Sequence, residues 1–366
     1  MNVITKNTQL DYIDSLRGIA ILMVILVHTI QSVQSPNYFI DSFTRFGQMG
    51  VVLFFCLSAI TQCMSLERTG VNKKEIQNFY VKRYFRIAPL YYTGIVFYFI
   101  LTMFFNHYNP EKAALHQQYS LLNILANIFF LHGLYPPAGE VVPGGWSIGT
   151  EMLFYLLVPG IFLLYKKISS NIFYIILPVL CLAISAVFFY LGEQYFNFEV
   201  KNNSFWYYNL INHFPVFITG ISYYFLSTRK NFKTSLQYMP IVVSAFVCLL
   251  IGNIYLFTKH FSISVTPFLA SVAFIVLIII FKNIKGLNSK VLIKIGQLSY
   301  SMYIFHFVFA YQFSRIILGK ILPYCSADTA LLICYIATIV LSFCVALVSQ
   351  KLIEQKGIVL GRKFLQ

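Results

Sequence analysis

The sequence predicts an all-α polytopic membrane protein with about ten transmembrane helices and both termini in the cytoplasm. Three observations carry this. Apolar residues make up 58% of the 366 residues and charged residues only 11%, where a soluble domain is about half apolar and about a quarter charged. The mean hydropathy is +0.72. The 27 Lys and Arg, against 12 Asp and Glu for a net charge of +15, are spread unevenly among the loops. So few charges cannot coat a soluble surface, and so apolar a chain is not disordered. A +15 excess in a soluble protein would point to nucleic acid. In a bilayer it reports topology instead, and no nucleic-acid partner is expected.

A spanning helix needs about 20 mostly apolar residues. Such stretches lie at 14–33, 47–65, 88–106, 148–165, 171–192, 207–226, 238–257, 264–281, 297–317 and 329–350. What remains is loops, so residues 1–366 are read as a single transmembrane domain. The longest loop, 107–147, holds a shorter apolar segment, Leu121 to Leu134, which is either re-entrant or interfacial. The first 13 residues, MNVITKNTQLDYI, lack the basic-then-apolar run of a signal peptide, so span one is expected to be retained.

Charge tests the ten-span assignment. With the N-terminus inside, 21 of the 27 basic residues face the cytoplasm, counting Arg17 at the inner end of span one. Only Arg45, Lys112, Lys201, Lys259, Arg315 and Lys320 face outward. A missed or invented helix would invert every later loop and spoil this split. The seven cysteines are scattered, with no CxxC pair. That argues against a disulfide framework or a zinc site and for small core residues. No metal is expected.

Ionisable groups inside a membrane span are costly and mark function. Glu151 is the one acid within a confident span, and His28, His213 and His306 are the histidines. In span one, Arg17 and His28 are eleven residues apart, which returns them to nearly the same helical face about 16 Å apart. In span two, Gly50 and Ser58 suit close helix packing, and Ser58 could also hydrogen-bond into a cavity. The stretch FYVKRYFRIAPLYY presents Lys82, Arg83 and Arg86. It serves either as headgroup anchor or as anion site, because guanidinium forks bind phosphate bidentately. Pro89 is read as the start of span three. Pro143, Gly144 and Gly145 form a turn before Trp146, an interfacial aromatic, and Ser147. Glu151 follows one turn later. A buried carboxylate needs a partner, and His28 is the candidate. In span nine, His306 sits near Tyr300 and Tyr303 and reads as a packed histidine. His213 has no surrounding pattern and reads as structural.

Taken in order, these segments resemble the acyltransferase-3 family of bacterial membrane O-acyltransferases, from residue 11 to about residue 363. Arg17 and His28 match the Arg, ten residues, His hallmark of its first helix. FFCLSAI at 54–60 matches FFxxSGF, with Ala59 in place of Gly. KRYFRIAPLYY matches the basic element and gives Arg83 and Arg86. WSIGTEMLFY matches WSLxxE and gives Trp146, Ser147 and Glu151, but Met152 replaces a second acid found in many members. LSYSMYIFH matches LSYSxYxxH and gives His306, and IEQK retains Glu354 of IExP while losing the Pro. Sixteen residues follow the last span, so the stand-alone form is expected, without the hydrolase-like domain that some members carry.

The resemblance implies transfer of an acyl group, most often acetyl, from cytoplasmic acyl-CoA to a hydroxyl of a cell-surface or lipid-linked glycan. Acyl-CoA is then a co-substrate, no cofactor is permanently bound, and the setting is the bacterial cytoplasmic membrane among its lipids. Arg17, Arg83 and Arg86 would hold the donor phosphates. His28 would be the general base, oriented by Glu151 as in a triad. Ser58, Trp146, Ser147 and His306 would support them. An acyl-His intermediate is the covalent alternative. The competing reading is a proton-coupled transporter of an anionic solute, which the absence of an internal repeat disfavours.

Overall fold

The computed structural model describes residues 10–33, 35–107, 119–134, 141–196, 207–229, 236–259 and 261–365. Lys6, Lys112, Lys201, Lys230 and Lys233 of the charge count lie outside them. The chain forms fourteen α-helices among the described residues, and no strand. They are α1 Asp11–Ile30, α2 Tyr38–Arg45, α3 Gly50–Thr69, α4 Lys73–His107, α5 Leu121–Ile128, α6 Gly145–Lys166 and α7 Phe173–Phe196. Then follow α8 Leu210–Thr228, α9 Met239–Thr258, α10 Val265–Asn283, α11 Lys290–Phe307, α12 Ser314–Ile321, α13 Ala327–Ser349 and α14 Gln355–Lys363. Local chemistry starts several of them. The Asn37 side chain caps α2, Ser120 caps α5 and Ser289 caps α11, each accepting from a first-turn N–H.

The helices gather into two compact units. One holds Met1–Leu57, Arg229–Ser262 and Leu269–Leu347; the other holds Ser58–Thr228, Ile263–Phe268 and Val348–Gln366.

The first unit is built around α1. Its Gly18 and Gly296 of α11 meet where the two backbones touch. A Cβ on Gly18 would lie 2.4 Å from the Leu292 carbonyl oxygen, and one on Gly296 only 1.7 Å from that of Asp14. Only glycine permits such an approach. Gly50 lies against the backbone of Ala20, the packing role its size suggested. Tyr335 of α13 donates to the Leu22 carbonyl (3.1 Å).

In the second unit α6 packs on α8 through stacked Phe154 and Phe217 (3.9 Å between centroids). Helices α4 and α6 run antiparallel. Tyr80 donates to the Leu156 carbonyl (2.9 Å), while Tyr91 lies against Gly145. The outer faces are apolar: α7 exposes Phe173, Ile175, Ile176, Val179 and Leu180, a surface suited to lipid.

Nine helices among the described residues are long and apolar enough to cross a membrane. The segment read at 207–226 is the tenth, α8. It is more polar because it is interior: Asn212, His213, Thr219 and Ser222 are all buried, and Tyr165 and Ser222 share a hydrogen bond of 3.0 Å. Parity shows that α8 crosses. Gly18 meets Leu292 and Gly296 at one level and His28 meets His306 further along, so α1 and α11 run in the same direction. Counting α8, they are the first and ninth crossings and agree in direction; without it they would be opposed.

Two local expectations are corrected. Pro89 does not begin a span: α4 runs unbroken from Lys73 to His107 with Pro89 inside it. A proline there leaves the carbonyl four residues back without its usual donor. That carbonyl, of Phe85, is where Gly357 of α14 approaches; a Cβ on Gly357 would come 2.7 Å from it. Nor are the cysteines uniformly core: Cys56, Cys63 and Cys334 are buried, but Cys248 and Cys344 are exposed on apolar helices. Segment 121–134 forms α5 and a turn. Leu121, Leu122 and Leu125 point outward while Asn123 and Asn127 are buried, the reverse of a helix facing water.

A topology reporter checks the parity argument. Phosphatase fused after Phe196 is expected to be active and, after Arg229, inactive. Equal activity at both positions would show that α8 does not cross.

Candidate functional site

In the first unit the contact at Gly18 and Gly296 decides what meets further on. His28 and His306 each follow their glycine by ten residues, about 15 Å along each axis. Parallel helices that touch at the glycines therefore bring the two imidazoles together, with ring centroids 5.3 Å apart. Phe307 lies against both, 4.3 Å from His28 and 4.1 Å from His306.

The next segment, Val308–Phe313, is a π-turn, a widening common at functional sites. It sets Tyr311 beside His28, whose Nδ1 lies 2.9 Å from the Tyr311 hydroxyl and 3.1 Å from Gln31 Oε1. The Tyr311 hydroxyl donates to Gln31 Oε1 (2.5 Å). With that proton committed, the network assigns the remaining one to His28 Nδ1, which leaves Nε2 with its lone pair. His306 is fixed in the same tautomer, Nδ1–H donating to the Tyr303 carbonyl (2.8 Å). Its Nε2 is fully enclosed and has no hydrogen-bond partner among the described residues. Arg17, at the other end of α1, lies 3.5 Å from Asp14, to which Gln297 also donates (3.4 Å).

In the second unit Glu151 sits two turns into α6. It accepts hydrogen bonds from the hydroxyls of Ser58 and Tyr155, and these two hydroxyls lie 3.0 Å apart. Tyr155 is one turn from Glu151 on the same helix, a natural i,i+4 pair. Arg83 lies against the Phe79 ring (5.5 Å) and acts electrostatically on Tyr155. Arg86 is part-buried and makes no hydrogen bond or ion pair with any described residue.

Trp146 is not a simple interfacial anchor. Its ring stacks on Tyr208 (4.4 Å, 17°) and lies 5.3 Å from that of His213. Ser147 donates to the Gly144 carbonyl (3.1 Å) and ties the turn that opens α6.

That turn has a further support. Phe130 holds a left-handed backbone (φ 57°) after α5, uncommon for an aromatic residue. The bend carries His132 to the start of α6, where Nε2–H donates to the Gly145 carbonyl (2.9 Å). Tyr91 donates to Asn127 (2.6 Å) beside it. His132, Tyr155, Gln31 and Tyr311 were not picked out from sequence. The i,i+4 spacing could have found Tyr155 and the i,i+3 spacing Gln31; nothing in the sequence marks the π-turn or the bend at Phe130.

This chain belongs to the acyltransferase-3 family of multi-pass membrane proteins. The family model, described as an acyltransferase domain, matches residues 10–349. Among curated proteins it is similar to the peptidoglycan O-acetyltransferase OatA of Listeria monocytogenes. They are 28% identical over 169 residues, covering 43% of this chain and 25% of that protein. It is also similar to the exopolysaccharide production protein ExoZ of Rhizobium meliloti, 31% identical over 119 residues, covering 31% of this chain and 34% of that protein. The chain thus spans about a quarter to a third of the length of these relatives. No solved structure matches it.

Burial holds the His132 imidazole below its ordinary value of 6.5, so it is neutral at pH 7. The unfolded chain takes up that proton near 6.5. The stability His132 contributes is therefore full above that value and is lost as pH falls toward the folded value. His132→Gln keeps a donor for Gly145 without the titration. Its melting temperature in detergent is expected to fall by a few degrees less than wild type between about pH 7 and pH 5. Equal falls would rule out His132 as the titrating group.

Proposed function

We propose that this chain is an acyl-CoA-dependent O-acetyltransferase of the bacterial cytoplasmic membrane. It moves acetyl from cytoplasmic acetyl-CoA to a hydroxyl of a cell-surface or lipid-linked glycan. The observation that carries this is His28, a histidine within a membrane span whose Nδ1 is held by Tyr311 and Gln31, in a chain of an acyltransferase family. The printed names of the relatives, a peptidoglycan O-acetyltransferase and an exopolysaccharide production protein, support a polysaccharide acceptor.

In the proposed step the acceptor hydroxyl oxygen attacks the thioester carbonyl while His28 Nε2 takes its proton. A neutral imidazole with a free Nε2 lone pair can act as the base. The tetrahedral intermediate collapses by breaking the carbon–sulfur bond, and the imidazolium returns the proton to the departing thiolate. Tyr311 and Gln31 keep the ring in the reactive tautomer as the charge comes and goes. Glu151, held by two hydroxyls, is proposed as a further catalytic residue. Arg86, a part-buried cation without a counter-charge among the described residues, is proposed to hold donor phosphate, with Arg83 adding to the field; Arg17 is likewise proposed as a donor-binding residue. His306 is assigned a supporting role against His28.

The test is transfer of labelled acetyl from acetyl-CoA to acceptor glycan by purified protein in proteoliposomes. His28→Gln is expected to lower kcat at least a hundredfold. Arg86→Ala is expected to raise the KM for acetyl-CoA roughly tenfold with kcat little changed. Full transfer by His28→Gln sinks the base assignment. Uptake of an anion with no acetyl transfer by the wild type would favour the transporter reading.

A further inference from the structure

Gln62 belongs to none of the motifs above. It lies on α3 one turn beyond Ser58, about 6 Å along the axis and on the same stripe of the helix. Its side chain is 1% exposed, yet Oε1 accepts no hydrogen bond from any described residue. A dry, unpaired carbonyl oxygen is disfavoured, and the great majority of buried polar groups are satisfied. An apolar residue of similar size would fill the same space without that cost.

The place of this amide narrows what satisfies it. Helices α3 and α6 run parallel. Ser58 meets Glu151 and Tyr155 at one level, and Glu67 meets Lys166 (3.3 Å) at another. Gln62 falls between these levels, within a turn of the Glu151 group. A ligand reaching Ser58 and Glu151 from the Lys166 end passes Gln62 first. The free oxygen calls for a donor, and the neighbouring side chains on this stripe supply none.

We infer that Gln62 is a binding residue for the acyl donor, its Oε1 accepting an amide N–H of the pantetheine arm. This rests on the acetyl-CoA reading above and adds a contact to it. In acetyl-CoA the nearer amide nitrogen is two methylenes from the thioester sulfur, a reach comparable with the turn that separates Gln62 from Ser58. Seating that N–H at Gln62 brings the thioester to the level of Ser58, Tyr155 and Glu151. The arm is otherwise thin and apolar, so a single acceptor sets how far it enters.

The experiment compares wild type with Gln62→Leu and Gln62→Met in proteoliposomes, measuring the KM for acetyl-CoA, the KM for acceptor glycan and the melting temperature without substrate. The expected result is a KM for acetyl-CoA raised about tenfold, the worth of one hydrogen bond. The acceptor KM should be unchanged and the melting temperature equal to or above wild type. An unchanged donor KM overturns the inference, and a lowered melting temperature with it would mark Gln62 as structural. A change confined to the acceptor KM overturns it as well, by assigning the amide to a sugar hydroxyl. If wild type transfers nothing from acetyl-CoA, both the proposed function and this inference fail; if wild type transfers normally, only the inference is at stake.

Discussion

The contact on which the first unit depends is between two backbones. Where Gly18 meets Gly296, no side chain stands between α1 and α11, and a single methyl on Gly296 would come 1.7 Å from the Asp14 carbonyl oxygen. In a bilayer such closeness is a principal source of helix affinity, because lipid tails are as apolar as leucine and provide no hydrophobic drive. The same contact fixes register. Two parallel helices pinned at one level must present to each other whatever lies an equal number of residues further on. Here that is His28 and His306. The π-turn then adds Tyr311, so the geometry around the candidate base is inherited from two residues with no chemistry of their own.

Polarity is arranged the opposite way from a soluble protein. The exterior of α7 is leucine, isoleucine and phenylalanine, whereas α8 carries Asn212, His213, Thr219 and Ser222 into the interior. Some interior polar groups find partners within the bundle: Tyr155 reaches Glu151 from the next turn of its own helix, and Ser222 meets Tyr165 of the neighbouring α6. The buried atoms without a hydrogen-bond partner among the described residues include the Nε2 of His306 and the Oε1 of Gln62.

Much of this was legible in the sequence. Ten apolar stretches and an uneven distribution of basic residues gave the fold, because bilayer thickness and the positive-inside rule act on composition alone. His28 and Glu151 stood out because a charge in lipid is expensive wherever it lies. The missing parts depend on packing. Pro89 reads as a helix start, but α4 continues through it because α14 approaches the exposed Phe85 carbonyl from a distant part of the chain. The pairing of Gly18 with Gly296 has no local signature, since each is an ordinary glycine in its own helix. Tyr311 was invisible because one π-turn shifts every later residue around the helix. Gln62 was not picked out because an Oε1 without a partner among the described residues exists only in three dimensions.

The central claim is that the glycine contact places His28 for catalysis. Acetyl transfer by Gly296→Val tests it most directly. Gly286→Val, at a site with open space around it, serves as control. The account predicts that Gly296→Val inserts in the membrane and elutes as a single species, yet loses at least a hundredfold in transfer rate, as displaced reacting groups do. The control should match wild type. Transfer by Gly296→Val within twofold of wild type would contradict it.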